Sequence, residues 1–221
     1  IKQLQVSERF NVETKTPIYP QRFPVSTLVF RVPTFEEFLN LIDGLNHSHS
    51  KKMRILPEIK DPEFHKKNNI DIALLTLKTL QNFGYEKSAL AIIQCFEPLT
   101  LKRLSKMTRI KLLQLIADPS WNETSADYKL MMSPQGLAEV KTYADYVGVW
   151  IPHLFEKDKN KSSLFLESLK HSKLKIFAFT HRIDDYPSLF ENLESYHDAL
   201  KKLPLHGLFS DHPDKAQKLF Q

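Results

Sequence analysis

The sequence has one cysteine, Cys95, in 221 residues, so no internal disulfide can form. A single thiol fits reducing and oxidising compartments alike. Glycine is scarce, at five residues, and none falls in a glycine-rich loop after a strand. That argues against a dinucleotide fold or a P-loop. No apolar run approaches the roughly 20 residues needed to cross a bilayer. Charge of one sign is lacking as well: 31 Lys and Arg stand against 26 Asp and Glu, for a net charge of +5. The basic residues are scattered among the acids, so no nucleic-acid-binding stripe stands out. The chain opens Ile1-Lys2-Gln3-Leu4, neither a methionine nor a signal peptide. Any export signal or lipid anchor is expected upstream of Ile1. What remains is ordinary for a soluble globular protein: 42% apolar and 26% charged residues.

Prolines dominate the front. Pro17, Pro20, Pro24 and Pro33 interrupt each apolar run there. Proline fixes φ and has no amide donor, so long helices and central strands are disfavoured from Lys15 to Pro33. Thr34 is then a good N-cap, and Phe35, Phe38, Leu39, Ile42 and Leu45 recur at helical spacing. A helix is expected over Thr34–Leu45.

From Met53 a rhythm of short apolar runs and longer amphipathic stretches sets in. Strands are expected at Arg54–Ile59, Ala91–Phe96, Lys111–Ile116, Tyr146–Trp150, Leu174–Thr180 and Gly207–Ser210. Helices are expected at Ile70–Phe83, Leu99–Met107, Pro134–Tyr143, Ser162–His171, Leu189–Lys202 and Pro213–Phe220. The strand-like runs are continuously apolar, as in a parallel sheet buried on both faces. Strand–helix alternation means βαβ units, in a barrel or a doubly wound sheet. Six units are counted, whereas a closed barrel of this type has eight.

In parallel α/β architectures chemistry sits at the carboxyl ends of the strands. The first run ends Pro57-Glu58-Ile59-Lys60. Glu58 and Lys60 are two apart and share a side of the strand. A carboxylate and an ammonium there can hold a metal ion and a phosphate together. On spacing alone an ordinary strand-end ion pair is the commoner explanation. Other strand ends carry Gln94-Cys95-Phe96, Gln114-Leu115-Ile116, Phe179-Thr180-His181-Arg182 and Ser210-Asp211-His212-Pro213. His181 and His212 qualify as bases, since imidazole titrates near neutrality, or as solvated loop residues. The remaining histidines, His47 and His49 included, show no zinc-ligand spacing.

Taken in order, these segments resemble the glycerophosphodiester phosphodiesterase family. Glu58-Ile59-Lys60 is similar to its Glu-x-Lys strand, and Gln94-Cys95-Phe96 to the next strand, which ends in Ser-Phe or Cys-Phe. Gln114-Leu115-Ile116 is similar to the strand after that. Phe179-Thr180-His181-Arg182 resembles its aromatic-Thr-x-Arg or -Asn strand, and Gly207–Pro213 its closing Gly-x-x-(Thr/Ser)-Asp-x-Pro strand. Tyr19-Pro20-Gln21-Arg22-Phe23-Pro24, Phe35-Glu36-Glu37, Gly44–Ser48 and Asp118-Pro119-Ser120-Trp121-Asn122-Glu123-Thr124 look like its bacterial periplasmic or lipoprotein branch. The resemblance spans essentially the whole chain. It favours a functional role for Glu58 and Lys60.

The resemblance implies a TIM-type (β/α)8 barrel with a small insertion after the second strand. It implies metal-dependent hydrolysis of glycerophosphodiesters to glycerol 3-phosphate and an alcohol. One divalent ion, Ca²⁺ or Mg²⁺, would be held by three carboxylates, with Glu58 as the third. Lys60 would contact phosphate, Phe96 and Phe179 would shape the pocket, and Arg182 would assist with the anion. The family's His-Arg-Gly run does not occur in this sequence, and no Glu-x-Asp strand or His-Asp run precedes Glu58; those runs carry the acid–base histidines and the other two carboxylates. The catalytic histidines are therefore expected upstream of Ile1. Residues 1–50 are expected to be the rest of the insertion plus the first helix, and 51–221 barrel strands three to eight with their helices. Two smaller departures stand at Phe177 and Ala178, where the closest branch has His and Pro.

On this reading the fold is incomplete, with the first two of eight units missing. The metal is then weakly bound or absent, and the chain alone is inactive. Its partners are a glycerophosphodiester and either the missing N-terminal portion or itself, with no nucleic acid and no transmembrane segment. The location is periplasmic or a cell-envelope lipoprotein. The alternative is an inactive remnant or a non-catalytic binding protein of the same fold.

Overall fold

The computed structural model describes residues 2–22, 30–156 and 162–221. The chain divides into two compact units, Ile1–Met53 and Arg54–Gln221. In the first, β1 (Gln5–Val6) pairs antiparallel with β2 (Phe30–Arg31), and α1 (Phe35–Ser48) follows. Thr34 caps α1 as its sequence suggests. Its side chain accepts from the Glu37 amide, and the Glu37 carboxylate accepts from the Thr34 amide. The helix runs through Gly44 to Ser48, one turn past the expected end at Leu45. Phe23 and Pro24 lie outside the described residues.

The second unit carries the rhythm seen in the sequence. After α2 (Pro62–Lys67) and α3 (Ile72–Asn82) come β3 (Ile92–Cys95), α4 (Pro98–Leu104) and β4 (Lys111–Ile116). Next are α5 (Tyr128–Met131), α6 (Pro134–Lys141), β5 (Tyr146–Trp150), α7 (Leu164–His171) and β6 (Lys175–His181). The unit ends with α8 (Leu193–Lys201), β7 (Gly207–Ser210) and α9 (Pro213–Leu219). The sheet is five-stranded and parallel throughout, in the order β3-β4-β5-β6-β7. It curls in the manner of an α/β, TIM-type fold.

The sixth expected strand, Arg54–Ile59, is present only as two parallel bridges to the β3 side, Ile55↔Ala91 and Glu58↔Gln94. Its backbone still makes most of a ladder. The Ile55 amide donates to the Leu90 carbonyl, the Ile92 and Gln94 amides donate to the Ile55 and Pro57 carbonyls, and the Ile59 amide donates to the Gln94 carbonyl. The gap falls at Pro57, which has no amide to give.

Register sorts the side chains. Cross-strand partners share a side, and the pairs Gln94↔Leu113, Leu113↔Tyr146, Gly148↔Phe177 and Trp150↔Phe179 define the concave face. Ile92, Leu113 and Leu115 form its buried floor, with Leu56, Phe96, Tyr146, Phe177, Phe179 and Phe209 packed on it and partly exposed. The opposite face carries Ile93, Val147, Val149, Ile176 and Ala178, all buried. This two-sided burial is why the strands read as unbroken apolar runs.

Several helix boundaries move to a capping residue that periodicity does not register. Asp71, Ser163 and Asn192 each accept from the third amide of their helix, so α3, α7 and α8 start after the expected points at Ile70, Ser162 and Leu189. The α3 helix ends before Gly84, whose positive φ suits glycine. The short helices α2 and α5 were not foreseen; each is too brief to show a periodic stripe.

Helices α5 and α6 touch backbone to backbone. A Cβ on Gly136 would stand 2.2 Å from the Leu130 carbonyl oxygen and 2.5 Å from Met131 Cα. Gly136→Ala is therefore expected to cost about 1–3 kcal/mol in urea-induced unfolding, as overpacking does. Gly44→Ala, in α1 with nothing within 4 Å of the new methyl, is expected to stabilise by about 0.5–1 kcal/mol.

Candidate active site at the carboxyl ends of the strands

The bridge Glu58↔Gln94 sets Glu58 on the concave face, beside Gln94 and in line with Leu113. Ile59 is fixed from both ends: its amide donates to Gln94, and its carbonyl accepts from the Cys95 thiol at 3.1 Å. Lys60 is thereby set at the sheet's end next to Phe96. Its ammonium lies 3.8 Å from Glu58, 3.1 Å from Glu123 and 6.0 Å from the centre of the Phe96 ring. Phe96 is held by its carbonyl, which accepts from the Gln114 side chain at 2.9 Å and from the Tyr128 hydroxyl at 3.2 Å. Gln94 and Gln114 are both buried and serve as backbone braces. The Cys95 thiol is pushed up to about 12 by burial, so it is inert as a nucleophile.

An aromatic wall continues from Phe96. Its ring meets Phe179 edge-on at 5.9 Å, Phe179 meets Trp121 at 6.4 Å, and Trp121 meets Trp150 at 5.1 Å. Trp121 and Glu123 arrive on the loop after β4, which is tied at both ends. At its start Asp118 accepts from the Ser120 amide and binds His153 Nε2 at 2.9 Å. At its end Thr124 and Tyr128 share a hydrogen bond, and Tyr128 donates to the Phe96 carbonyl. The Ser120 hydrogen bonds, then His153, hold the Asp118 carboxyl down at about 2.

Electrostatics follow from the crowding. Burial raises the Glu58 carboxyl above its ordinary value. Lys60 opposes that, while Glu123 and Asp61 add to it. Burial works against the charged form of Lys60, but the Glu123 hydrogen bond and the Glu58, Glu123 and Asp61 charges outweigh it and raise the ammonium.

The structure thus brings Glu58, Lys60, Phe96 and Phe179 together. Arg182 sits at the end of β6 in an ion-pair group, with Asp211 at 2.7 Å and Asp185 at 3.4 Å. His181 is a correction. Simple alternation would put it on the side of Phe177 and Phe179. The β6–β7 pairing slips between Ala178↔Leu208 and His181↔Ser210, three residues against two, and the bulge turns His181 outward. There it is fully buried against α8, 2.8 Å from the Ser210 hydroxyl and 3.1 Å from His197, stacked on Tyr196. It is not a base at the mouth. His212 faces Asp184 at 3.8 Å. Sequence reasoning missed the Glu123–Lys60 pair and the Asp118–His153 clip. Their only signal was a polar and aromatic run directly after a strand.

Among the described residues no three His, Cys, Asp or Glu side chains converge as a metal site. Glu58 and Glu123 are instead bridged by an ammonium. Among the described residues, these two carboxylates fall short of the roughly six or more oxygen ligands a hard divalent ion takes.

The family model for the glycerophosphoryl diester phosphodiesterase family matches residues 1–215. The chain belongs to that family. It is 34% identical over 239 aligned positions to a glycerophosphodiester phosphodiesterase of Haemophilus influenzae, covering 97% of this chain and 66% of the relative. A Treponema pallidum relative of the same name is 32% identical over 226 positions, covering 92% of this chain and 64% of the relative. The chain therefore spans about two-thirds of the length of these curated relatives. A crystal structure from Agrobacterium tumefaciens, whose name places it in the same class, superposes with TM-score 0.58 at 16% identity, over 87% of this chain and 64% of that one. That likeness speaks to fold. Among the described residues of this family member, no helix is long and apolar enough to cross a membrane.

The buried His181 has a consequence for stability. Burial, then the neighbouring His197 and His212, depress it to about 4 from an ordinary 6.5, with Asp211 opposing. It is neutral when folded and protonates more readily when unfolded. The stability tied to it is complete above pH 6.5 and is lost as pH falls towards 4, by roughly 3 kcal/mol. Urea unfolding at a series of pH values should show this slope, and His181→Phe should flatten it.

Proposed function

We propose that this chain supplies the substrate-binding side of a site that hydrolyses glycerophosphodiesters to glycerol 3-phosphate and an alcohol. The supporting observation is the convergence of Glu58 and Lys60 with the Phe96–Phe179 ring pair at the carboxyl end of a parallel sheet, in a member of this family. Lys60 is the phosphate contact. Phe96 and Phe179 form the apolar wall beside the glycerol. Arg182, already oriented by Asp211 and Asp185, adds positive charge for the anion.

Glu58 is one ligand of a divalent ion, Ca²⁺ or Mg²⁺, whose other donors lie outside the described residues. A bound ion would polarise the phosphoryl oxygens. The acid–base histidines belong to motifs that do not occur ahead of Glu58 in this sequence. In this reading the strands present are six of a barrel's eight, and Arg54–Gln221 binds without turning over. Export to the cell envelope belongs to the same reading. It is supported by the sequence likeness of Tyr19–Pro24 and Trp121–Thr124 to the exported branch. A purely binding role is the second reading, favoured by the absence of a converging metal set among the described residues.

Titration with sn-glycerol 3-phosphate, followed by NMR, is expected to shift resonances of Lys60, Phe96 and Phe179. Lys60→Met should weaken binding about tenfold or more, as loss of a charge-assisted hydrogen bond does. Retained affinity in that variant would remove Lys60 from the phosphate site. A phosphodiesterase assay with Ca²⁺ or Mg²⁺ is expected to show no turnover by this chain alone. Metal-dependent turnover would overturn the non-catalytic part.

A further inference from the structure

We propose that Glu123 makes this mouth selective for phosphodiesters whose alcohol carries a positive charge, and above all a quaternary ammonium. The proposal rests on Lys60 being the phosphate contact.

Three carboxylates, Glu58, Asp61 and Glu123, act on Lys60. Its strongest partner is Glu123, at 3.1 Å, against 3.8 Å to Glu58. A phosphate that takes Lys60 competes with Glu123 for the charge of the ammonium. The Glu123 side chain is only 25% exposed, and a poorly hydrated carboxylate stripped of its cation is unfavourable. A neutral or anionic alcohol does nothing to offset that loss. A cationic alcohol does: the phosphate pairs with Lys60 while its own ammonium pairs with Glu123. One ion pair becomes two, and no charge is stranded.

Glu123 cannot readily swing out to water instead. Its loop is clamped by the Asp118–His153 contact at one end and by Thr124–Tyr128–Phe96 at the other. Trp121, two residues before it, is packed on both Trp150 and Phe179.

The same rings explain why a quaternary ammonium suits the place better than a primary one. It has no N–H to donate, so it gains from aromatic faces and a nearby carboxylate rather than from hydrogen bonds. Trp121 is 42% exposed and continues through Phe179 to Phe96. That wall already takes a cation, since the Lys60 ammonium lies over Phe96 at 6.0 Å.

The test compares sn-glycero-3-phosphocholine with its 3,3-dimethylbutyl ester, which has the same shape without the charge. Dissociation constants are measured by NMR titration at low ionic strength. The unaltered chain is expected to bind the choline ester about tenfold more tightly. Glu123→Gln should bring the two esters level. Trp121→Leu, which keeps the carboxylate, should reduce the preference about threefold. Circular dichroism confirms that both variants are folded, and if Glu123→Gln is not, Glu123→Asp and the tryptophan variant carry the comparison. Equal affinities in the unaltered chain, or a preference that survives loss of the carboxylate, overturn the proposal and leave the phosphate site standing. Failure of both esters to bind overturns the phosphate role of Lys60 together with it.

Discussion

The hydrogen bond from the Ile59 amide to the Gln94 carbonyl determines where Glu58 and Lys60 stand. The segment carrying them is the weakest-paired part of the sheet, because Pro57 interrupts its ladder. The chain compensates on either side of that gap. The Gln94 side chain donates to the Leu56 carbonyl at 3.0 Å, and the Cys95 thiol donates to the Ile59 carbonyl. Two β3 side chains thus replace contacts the proline removes.

From that register the electrostatics follow. Glu58 is carried onto a face whose floor is Ile92, Leu113 and Leu115, so its partial burial raises its carboxyl. Lys60, one pleat further along, lies between Glu58 and Glu123. The ammonium lets two carboxylates sit close together. It is also the group an incoming phosphate would compete for. An ion pair of this kind adds little to stability, but it fixes which charges a ligand must bring.

The sheet was legible in the sequence because its physics is local. Lys111–Ile116, Tyr146–Trp150 and Gly207–Ser210 are strands with the bounds their apolar runs suggest. Burial on both faces keeps the middle of such a run almost wholly apolar, with Gln114 the exception in Lys111–Ile116. Helix starts were less legible, since Asp71, Ser163 and Asn192 act through a single side-chain hydrogen bond that an apolar stripe does not register. Glu58 and Lys60 were visible because two-residue spacing survives in any strand. Glu123 was not, because its approach to Lys60 spans 63 positions and depends on a loop. His181 was misplaced for a third reason. A bulge changes the parity of everything beyond it, and nothing in Phe-Thr-His-Arg marks one.

These differences bear on how the mouth acquires its chemistry. A parallel sheet of this kind does not by itself specify a ligand. What can vary is the set of side chains beyond the strand ends. Here that set is delivered by the loop after β4. It is anchored by Asp118 to the β5 side through His153 and by Tyr128 to the β3 side through the Phe96 carbonyl. A loop pinned to both neighbouring strand ends holds its charge as rigidly as a strand would. It can change sequence without disturbing the core beneath it. Glu123 and Trp121 are therefore the positions where the proposed preference for an alcohol would be set, while Glu58 and Lys60 stay fixed by backbone pairing.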